Sequence, residues 1–266
     1  MSGATNMEFK NIILEKSEGI ATLRINRPND LNILTVETLL EMKTAVEDLR
    51  NDRNLKALII TGSGDRLFSA GADIKEMSKM NTIEAREYSE LGHEIFASIA
   101  NLGIPVIAAI NAHAIGGACE LVLACDIRVA SENAKIGMPE TGIGITPGWG
   151  GMQRLSRLVG VDKAKELVFT GELIEAKEAE RIGLVNKVVP PDKVEAVARE
   201  IASKIANRAP VAIRLAKDAI NRGAEMDLEK ALDYDSEVFA IACSTEDQKE
   251  GMKAFLEKRK PEFRGK

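Results

Sequence analysis

The apolar positions change rhythm twice along the chain and so mark out three zones. From Phe9 to about Arg66, short apolar runs at Ile12–Glu15, Ile20–Ile25 and Leu58–Thr61 read as strands. Between them, Val36 to Leu49 carries Leu39, Leu40, Ala45, Val46 and Leu49 at helical spacing. The second zone, Leu67 to about Leu158, is rich in glycine. It predicts a strand at Val106–Ile110, a turn through Asn111–Gly116, an apolar helix from Gly117 to about Cys125 and a strand at Ile127–Ala130. The third zone, Asp162 to Lys266, reads as mostly helical. Pro190–Pro191 and Pro210 each open a helix, and Asp227 and Thr245 stand at cap positions of two more. Strands alternating with helices predict an α/β class. The expected division is a disordered tail over 1–6 with the ordered chain starting near Met7, a core over 7–200 carrying the site, and a helical module over 201–266.

Composition narrows the functional classes. A chain of 266 residues with a formal net charge of -5 has no electrostatic footprint for nucleic acid or an anionic membrane. A small anionic ligand remains compatible, since a few amides and lysines suffice to hold a phosphate. The cysteines, Cys119, Cys125 and Cys243, form no paired motif and fit reduced thiols in a cytoplasmic setting. Met1–Asn6 is small and polar, without the apolar core of a signal peptide.

Four features carry candidate chemistry. Glu120 sits in Gly-Gly-Ala-Cys-Glu-Leu-Val-Leu-Ala-Cys, apolar on every side of its helix, and an all-apolar helix is a buried one. Burial raises a carboxyl's pKa and makes it a proton carrier near neutrality. The plain alternative is a carboxylate stabilising the helix N-terminus. Gly116-Gly117 opens the same helix, whose first amides lack intrahelical acceptors and can stabilise an oxyanion; a simple turn is the plain alternative. Ser69-Ala70-Gly71-Ala72-Asp73 is able to supply another free amide, or else Asp73 is a helix cap and Gly71 a turn residue. Met138-Pro139-Glu140 leads into a Gly/Pro-rich ordered loop through Gly151 in which Glu140 is the only charge. Trp149, the sole tryptophan, either walls a pocket or packs in the core. His93 and His113 lack metal-ligand spacing, and no GxSxG elbow, Walker loop or strand-linked GxGxxG appears, so no metal site is expected.

Together these residues resemble the crotonase (enoyl-CoA hydratase/isomerase) superfamily. The resemblance runs through Asn26-Arg27-Pro28, Ala70-Gly71-Ala72-Asp73 and Asn111…Gly116-Gly117-Ala118-Cys119-Glu120-Leu121. It continues through Pro139-Glu140…Thr146-Pro147-Gly148…Gly150-Gly151…Gln153-Arg154-Leu155, Ala176-Lys177-Glu178-Ala179…Gly183-Leu184-Val185 and the stretch from Ser244 to Arg259. It implies a ββα spiral core with a helical C-terminal trimerisation module, assembled as trimers or dimers of trimers. It also implies a thioester carbonyl held by the Ala72 and Gly117 amides, with coenzyme A running past Ala70, Gly71, Ala72, Asp73, Ile74 and Lys75. Gly116, Gly148 and Trp149 would join the substrate contacts.

Hydratases of the family carry two glutamates, and both matching positions, Glu120 and Glu140, are glutamate here. The resemblance therefore implies reversible hydration of trans-2-enoyl-CoA to 3-hydroxyacyl-CoA, a hydro-lyase reaction of fatty-acid metabolism. Glu120 would activate water and Glu140 protonate C2, with no cofactor beyond the coenzyme A of the substrate. Isomerisation, other thioester chemistry of the family, or a non-catalytic acyl-CoA scaffold are the alternatives. The chain departs from the pattern at Met138, where many such hydratases have Gln. His113 occupies a variable position. Lys249, Lys253, Lys258 and Lys260 either meet the coenzyme's phosphates or form a solvated face.

Overall fold

The computed structural model describes residues 8–266, so the tail expected over 1–6 and the expected start at Met7 lie outside the described residues. In chain order the first elements are β1 (Ile12–Ser17), β2 (Ile20–Ile25), α1 (Val36–Asn51), β3 (Ala57–Gly62), β4 (Leu67–Ser69), α2 (Ile74–Met77) and α3 (Thr82–Ala100). Next come β5 (Val106–Ile110), β6 (His113–Ile115), α4 (Gly117–Leu123), β7 (Ile127–Ser131) and β8 (Lys135–Gly137). The chain continues through α5 (Gly151–Val159), α6 (Val161–Thr170), β9 (Ile174–Glu175), α7 (Ala176–Arg181), β10 (Lys187–Val189) and α8 (Val194–Ala206). It ends in α9 (Pro210–Gly223), α10 (Leu228–Cys243) and α11 (Glu246–Leu256).

A six-stranded sheet runs β1-β2-β3-β5-β7-β10, antiparallel between β1 and β2 and parallel elsewhere. A four-stranded sheet runs β4-β6-β8-β9, with β9 antiparallel to β8. Three successive strand pairs, β3–β4, β5–β6 and β7–β8, each place their first strand in the large sheet and their second in the small one, with helices between the pairs. This is the ββα repeat that the resemblance implies.

The middle of the large sheet is covered on both faces, which is why β3 and β5 read as unbroken apolar runs rather than alternating ones. Ala57 and Ile59 of β3, with Ile107, Ala109 and Val129, pack against Val194, Ala198 and Ala202 of α8. Leu58 and Ile60 point the other way, into the main core with Leu39, Met42, Val46, Ile95, Phe96 and Leu121. Residues 200 and 201, the expected division, both fall within α8.

Several elements depart from the sequence expectation. The turn expected over Asn111–Gly116 contains β6, and β4 and β8 are similarly brief; three-residue strands show no measurable periodicity. The helix that Asp73 caps stops at Met77, and Asn81 adopts an extended conformation to cap α3, where it and Glu84 form a capping box. Leu40 lies on the outer face of α1 and is exposed rather than part of its buried stripe. Pro191–Lys193 forms a 3-10 turn, and α8 begins only at Val194. Asp227 and Thr245 cap α10 and α11 through their side-chain oxygens, as expected. No helix among the described residues is long and apolar enough to cross a membrane.

Candidate functional site

Glu120 lies in α4, all of whose residues are buried. Its Oε1 accepts hydrogen bonds from the main-chain N–H of Trp149 (2.8 Å) and of Gly151 (2.7 Å). Those donors come from the far end of the Gly/Pro-rich loop, where Gly150 takes φ +94 to turn the chain into α5. Burial pushes the Glu120 carboxyl up from its ordinary range, and the two amides together with the nearby Arg154 guanidinium pull it back. Arg154 is held in place by donating to the Trp149 carbonyl at 3.0 Å.

Glu140 opens a 3-10 turn, Glu140–Ile143, at the near end of that loop. Its carboxyl is pushed up to about 7, first by burial and further by the negative charge of Glu120. Oε2 is buried without a hydrogen-bond partner, and Oε1 would lie 2.9 Å from a β-carbon added at Gly116. A side chain there would strike the carboxylate, and Gly116 also takes φ +59.

The amides around Ala72 are committed one by one. Ala70 N–H donates to the Leu31 carbonyl and Gly71 N–H to Ser69 Oγ, while the Gly71 carbonyl accepts from Leu34 N–H. Lys75 and Glu76 N–H donate to the Asp73 carboxylate, which caps α2. Among the described residues, Ala72 N–H and Gly117 N–H have no protein acceptor. They approach because Gly71 carries no side chain: a β-carbon at Gly71 would meet Gly117 N at 2.7 Å and Ile115 O at 2.5 Å, and its φ is +83.

A cavity of about 290 Å³ brings these groups together. Its polar lining includes Glu120 and Glu140; Ala72, Gly117, Gly148, Trp149 and the side chains of Met77, Met80, Ala85, Tyr88, Ser89, Ile145 and Thr146 complete it. Trp149 does both of the jobs open to it. Its ring packs against Tyr88 (centroids 5.2 Å apart) and edge-on to Phe96 (5.6 Å), and it also walls the cavity.

The sequence matches the family described as "Enoyl-CoA hydratase/isomerase" over residues 15–266. The chain belongs to this family. It is 54% identical over 256 residues to the "Short-chain-enoyl-CoA hydratase" of Clostridium acetobutylicum, covering 96% of this chain and 98% of that one. It is 51% identical over 257 residues to the "Crotonyl-CoA hydratase" of Syntrophomonas wolfei, covering 97% and 99%. A crystal structure of an enoyl-CoA hydratase from Bacillus anthracis superposes with a TM-score of 0.94 at 41% identity, covering 97% of this chain and all of that one. The expected crotonase fold holds.

Of the residues expected from the family motifs, Glu120, Glu140, Ala72, Gly117, Gly148 and Trp149 line the cavity. Gly116 adjoins the Glu140 carboxylate, and Gly71 lies against Gly117. Ala70, Asp73, Ile74 and Lys75 do not line it; Ala70 follows β4 and Asp73–Lys75 are the cap and start of α2, with Ile74 and Lys75 exposed. Met138, the departure from the family pattern, is buried with its sulfur close to Gly151 and so packs behind the Glu120 carboxylate. His113 accepts a hydrogen bond from Lys135 N–H through Nδ1. Lys249, Lys253, Lys258 and Lys260 are all exposed. Sequence reasoning missed Tyr88, Met77 and Met80 as individual cavity residues. Their only signal was membership of the segment Glu76–Leu91, which spans the end of α2 and the first half of α3 and whose path depends on where α2 stops.

Proposed function

We propose that the protein reversibly hydrates trans-2-enoyl-CoA thioesters to 3-hydroxyacyl-CoA, acting as a hydro-lyase on short acyl chains. The observation that carries this reading is one cavity lined by two carboxyls of raised proton affinity and two main-chain amides without protein acceptors. Hydration drives charge onto the thioester oxygen, and preorganised N–H donors at that oxygen stabilise the enolate-like transition state. Ala72 and Gly117 are the donors in this reading.

Glu120 takes the proton of the attacking water as its oxygen bonds to C3. Two N–H groups on one of its oxygens favour the ionised form and fix the carboxylate's direction. Glu140, with an unpartnered oxygen and a pKa near 7, keeps a proton to deliver to C2. The pair ends with its proton moved from one carboxyl to the other, so no redox or metal chemistry is required of the chain.

The coenzyme's adenine and pantetheine run past Ala70–Lys75 in this reading, with Gly116 beside the acyl group. The helical end supports self-association as a trimer or a dimer of trimers: Leu228, Phe239, Phe255 and Leu256 are exposed by 70% or more. Free thiols at Cys119, Cys125 and Cys243 fit a cytoplasmic site of action.

The test is loss of the enoyl-thioester absorbance of crotonyl-CoA on incubation with the protein, repeated over a series of chain lengths. Formation of 3-hydroxybutyryl-CoA is the expected result, and absence of turnover at every length refutes the proposal. Light scattering of the purified protein checks the assembly, with a mass of three or six chains of 28.9 kDa expected.

A further inference from the structure

Among the described residues, only two buried polar side-chain atoms lack a hydrogen-bond partner, Glu140 Oε2 and the Tyr88 hydroxyl, and both residues line the same cavity. Glu140 has a role in the proposed reaction; Tyr88 has none. A buried hydroxyl left unpaired costs roughly 1–3 kcal/mol, so one that persists in a site calls for a partner. We propose that Tyr88 is a specificity residue whose hydroxyl donates a hydrogen bond to a neutral oxygen on the acyl chain, beyond the reacting double bond. This inference rests on the hydratase reading of the site.

Three observations set the chemistry of the ligand. First, Tyr88 is 8% exposed, held against the Trp149 ring from the first half of α3, so its hydroxyl has a set position. The hydroxyl next to it on α3, Ser89, is already committed as a donor to the Gly148 carbonyl. Second, burial, followed by the negative charges of Glu76 and Asp73, raises the phenol's pKa and keeps it protonated. The Asp73 main-chain N–H pulls that shift part of the way back, and the hydroxyl's own proton is left without an acceptor. The group therefore acts as a donor and needs an acceptor. Third, the same two carboxylates oppose an anionic acceptor, so a hydroxyl or keto oxygen fits and a chain carboxylate does not.

The thioester oxygen and the oxygen at C3 are already served by the amides and the glutamates in this reading. The remaining acceptor is an oxygen further along the acyl chain. The Tyr88 hydroxyl is closed off from solvent, so a substrate oxygen reaches it only when a neighbour yields. Met77 and Met80 of the same lining are unbranched thioethers, which adapt their shape readily.

The matched substrates are crotonyl-CoA and 4-hydroxycrotonyl-CoA, which differ by one hydroxyl. Tyr88→Phe keeps the ring and removes only the donor. The variant is expected to lose roughly three- to tenfold in kcat/KM on 4-hydroxycrotonyl-CoA relative to its change on crotonyl-CoA, the worth of one neutral hydrogen bond. Equal changes on both substrates overturn the proposal. A second measurement needs no variant: the wild-type protein should bind 4-hydroxybutyryl-CoA more tightly than butyryl-CoA, and equal or weaker binding overturns it. Failure of the wild type to turn over either enoyl thioester would instead count against the hydratase reading itself.

Discussion

Gly151 touches Glu120 in two ways: its N–H donates to Glu120 Oε1 at 2.7 Å, and a β-carbon added to it would lie 2.5 Å from Glu120 Cγ. The same added carbon would lie 2.5 Å from Met138 Sδ, so the carboxyl is trapped between a donor, a thioether and a backbone with no room for a methyl group. Gly151→Ala should displace the carboxylate while leaving the fold in place. A misplacement of about 1 Å at a reacting group can lower the rate by about 10². The expected outcome is a fall of that order in kcat on crotonyl-CoA with a smaller change in KM, measured by steady-state kinetics. A variant with wild-type kcat would show that Glu120's placement does not limit the reaction.

Replacing either acid by its amide tests the roles directly. General acid–base groups contribute roughly 10²–10⁴ each. Glu120→Gln and Glu140→Gln should each reduce kcat by about that much, with binding of a saturated acyl-CoA largely retained by calorimetry. Glu120→Gln has an added structural consequence, because its amide presents Nε2 or one neutral oxygen to the Trp149 and Gly151 donors that now share Oε1. A near-normal rate in either variant removes that glutamate from the mechanism.

The pH dependence follows from Glu140, pushed up to about 7 by burial and by Glu120. Hydration needs one proton on the pair, so kcat/KM should fall as pH rises through about 7. The overall equilibrium between neutral acyl groups and water involves no net proton, so dehydration of 3-hydroxybutyryl-CoA should show the same limb at the same pH. That limb belongs to the coupled carboxyls as a pair. A rate constant flat between pH 6 and 9 in both directions would contradict the assignment.

Stability should respond to the same group with a definite sign. The folded carboxyl binds its proton more tightly than the ordinary value of 4.5 allows in the unfolded chain. The native state therefore holds more protons between those limits, and unfolding free energy falls as pH rises from about 4.5 to 7. The contribution is fully present below the unfolded value and lost above the folded one. Denaturant unfolding of the wild type and of Glu140→Gln at several pH values should show a shallower decline in the variant across that window.

Trp149 offers a packing test. A β-carbon added at Gly92 of α3 would lie 2.0 Å from Trp149 Cδ1, so the indole occupies the space that a side chain would need. In an open helix Gly→Ala stabilises, by roughly 0.5–1 kcal/mol. Here Gly92→Ala should instead destabilise by about 1–3 kcal/mol through overpacking. Calorimetric melting should show a lower Tm and a weaker Trp149 near-ultraviolet signal; a raised Tm would mean that the indole shifts freely.

The amino-acid sequence alone determined the local features of this protein. The two-sided apolar runs of β3 and β5, the caps at Asp227 and Thr245, and the oddity of Glu120 in an all-apolar helix are each set by neighbours along the chain. Family motifs, legible as residue strings, carried the fold and named the site residues. The tertiary structure decided what those strings do together. Ala72 is left with a free amide only because Leu31, Leu34 and Ser69 bind its neighbours, and Glu120 receives donors from Trp149 and Gly151, about thirty residues away. β4, β6 and β8 are too short to announce themselves and exist because each finds a partner in the small sheet. Tyr88 became visible as a cavity residue only once α2 had stopped at Met77 and α3 had set its angle. Hydrogen-bond satisfaction and close packing are properties of groups that meet in space, and the order of residues along the chain does not record those meetings.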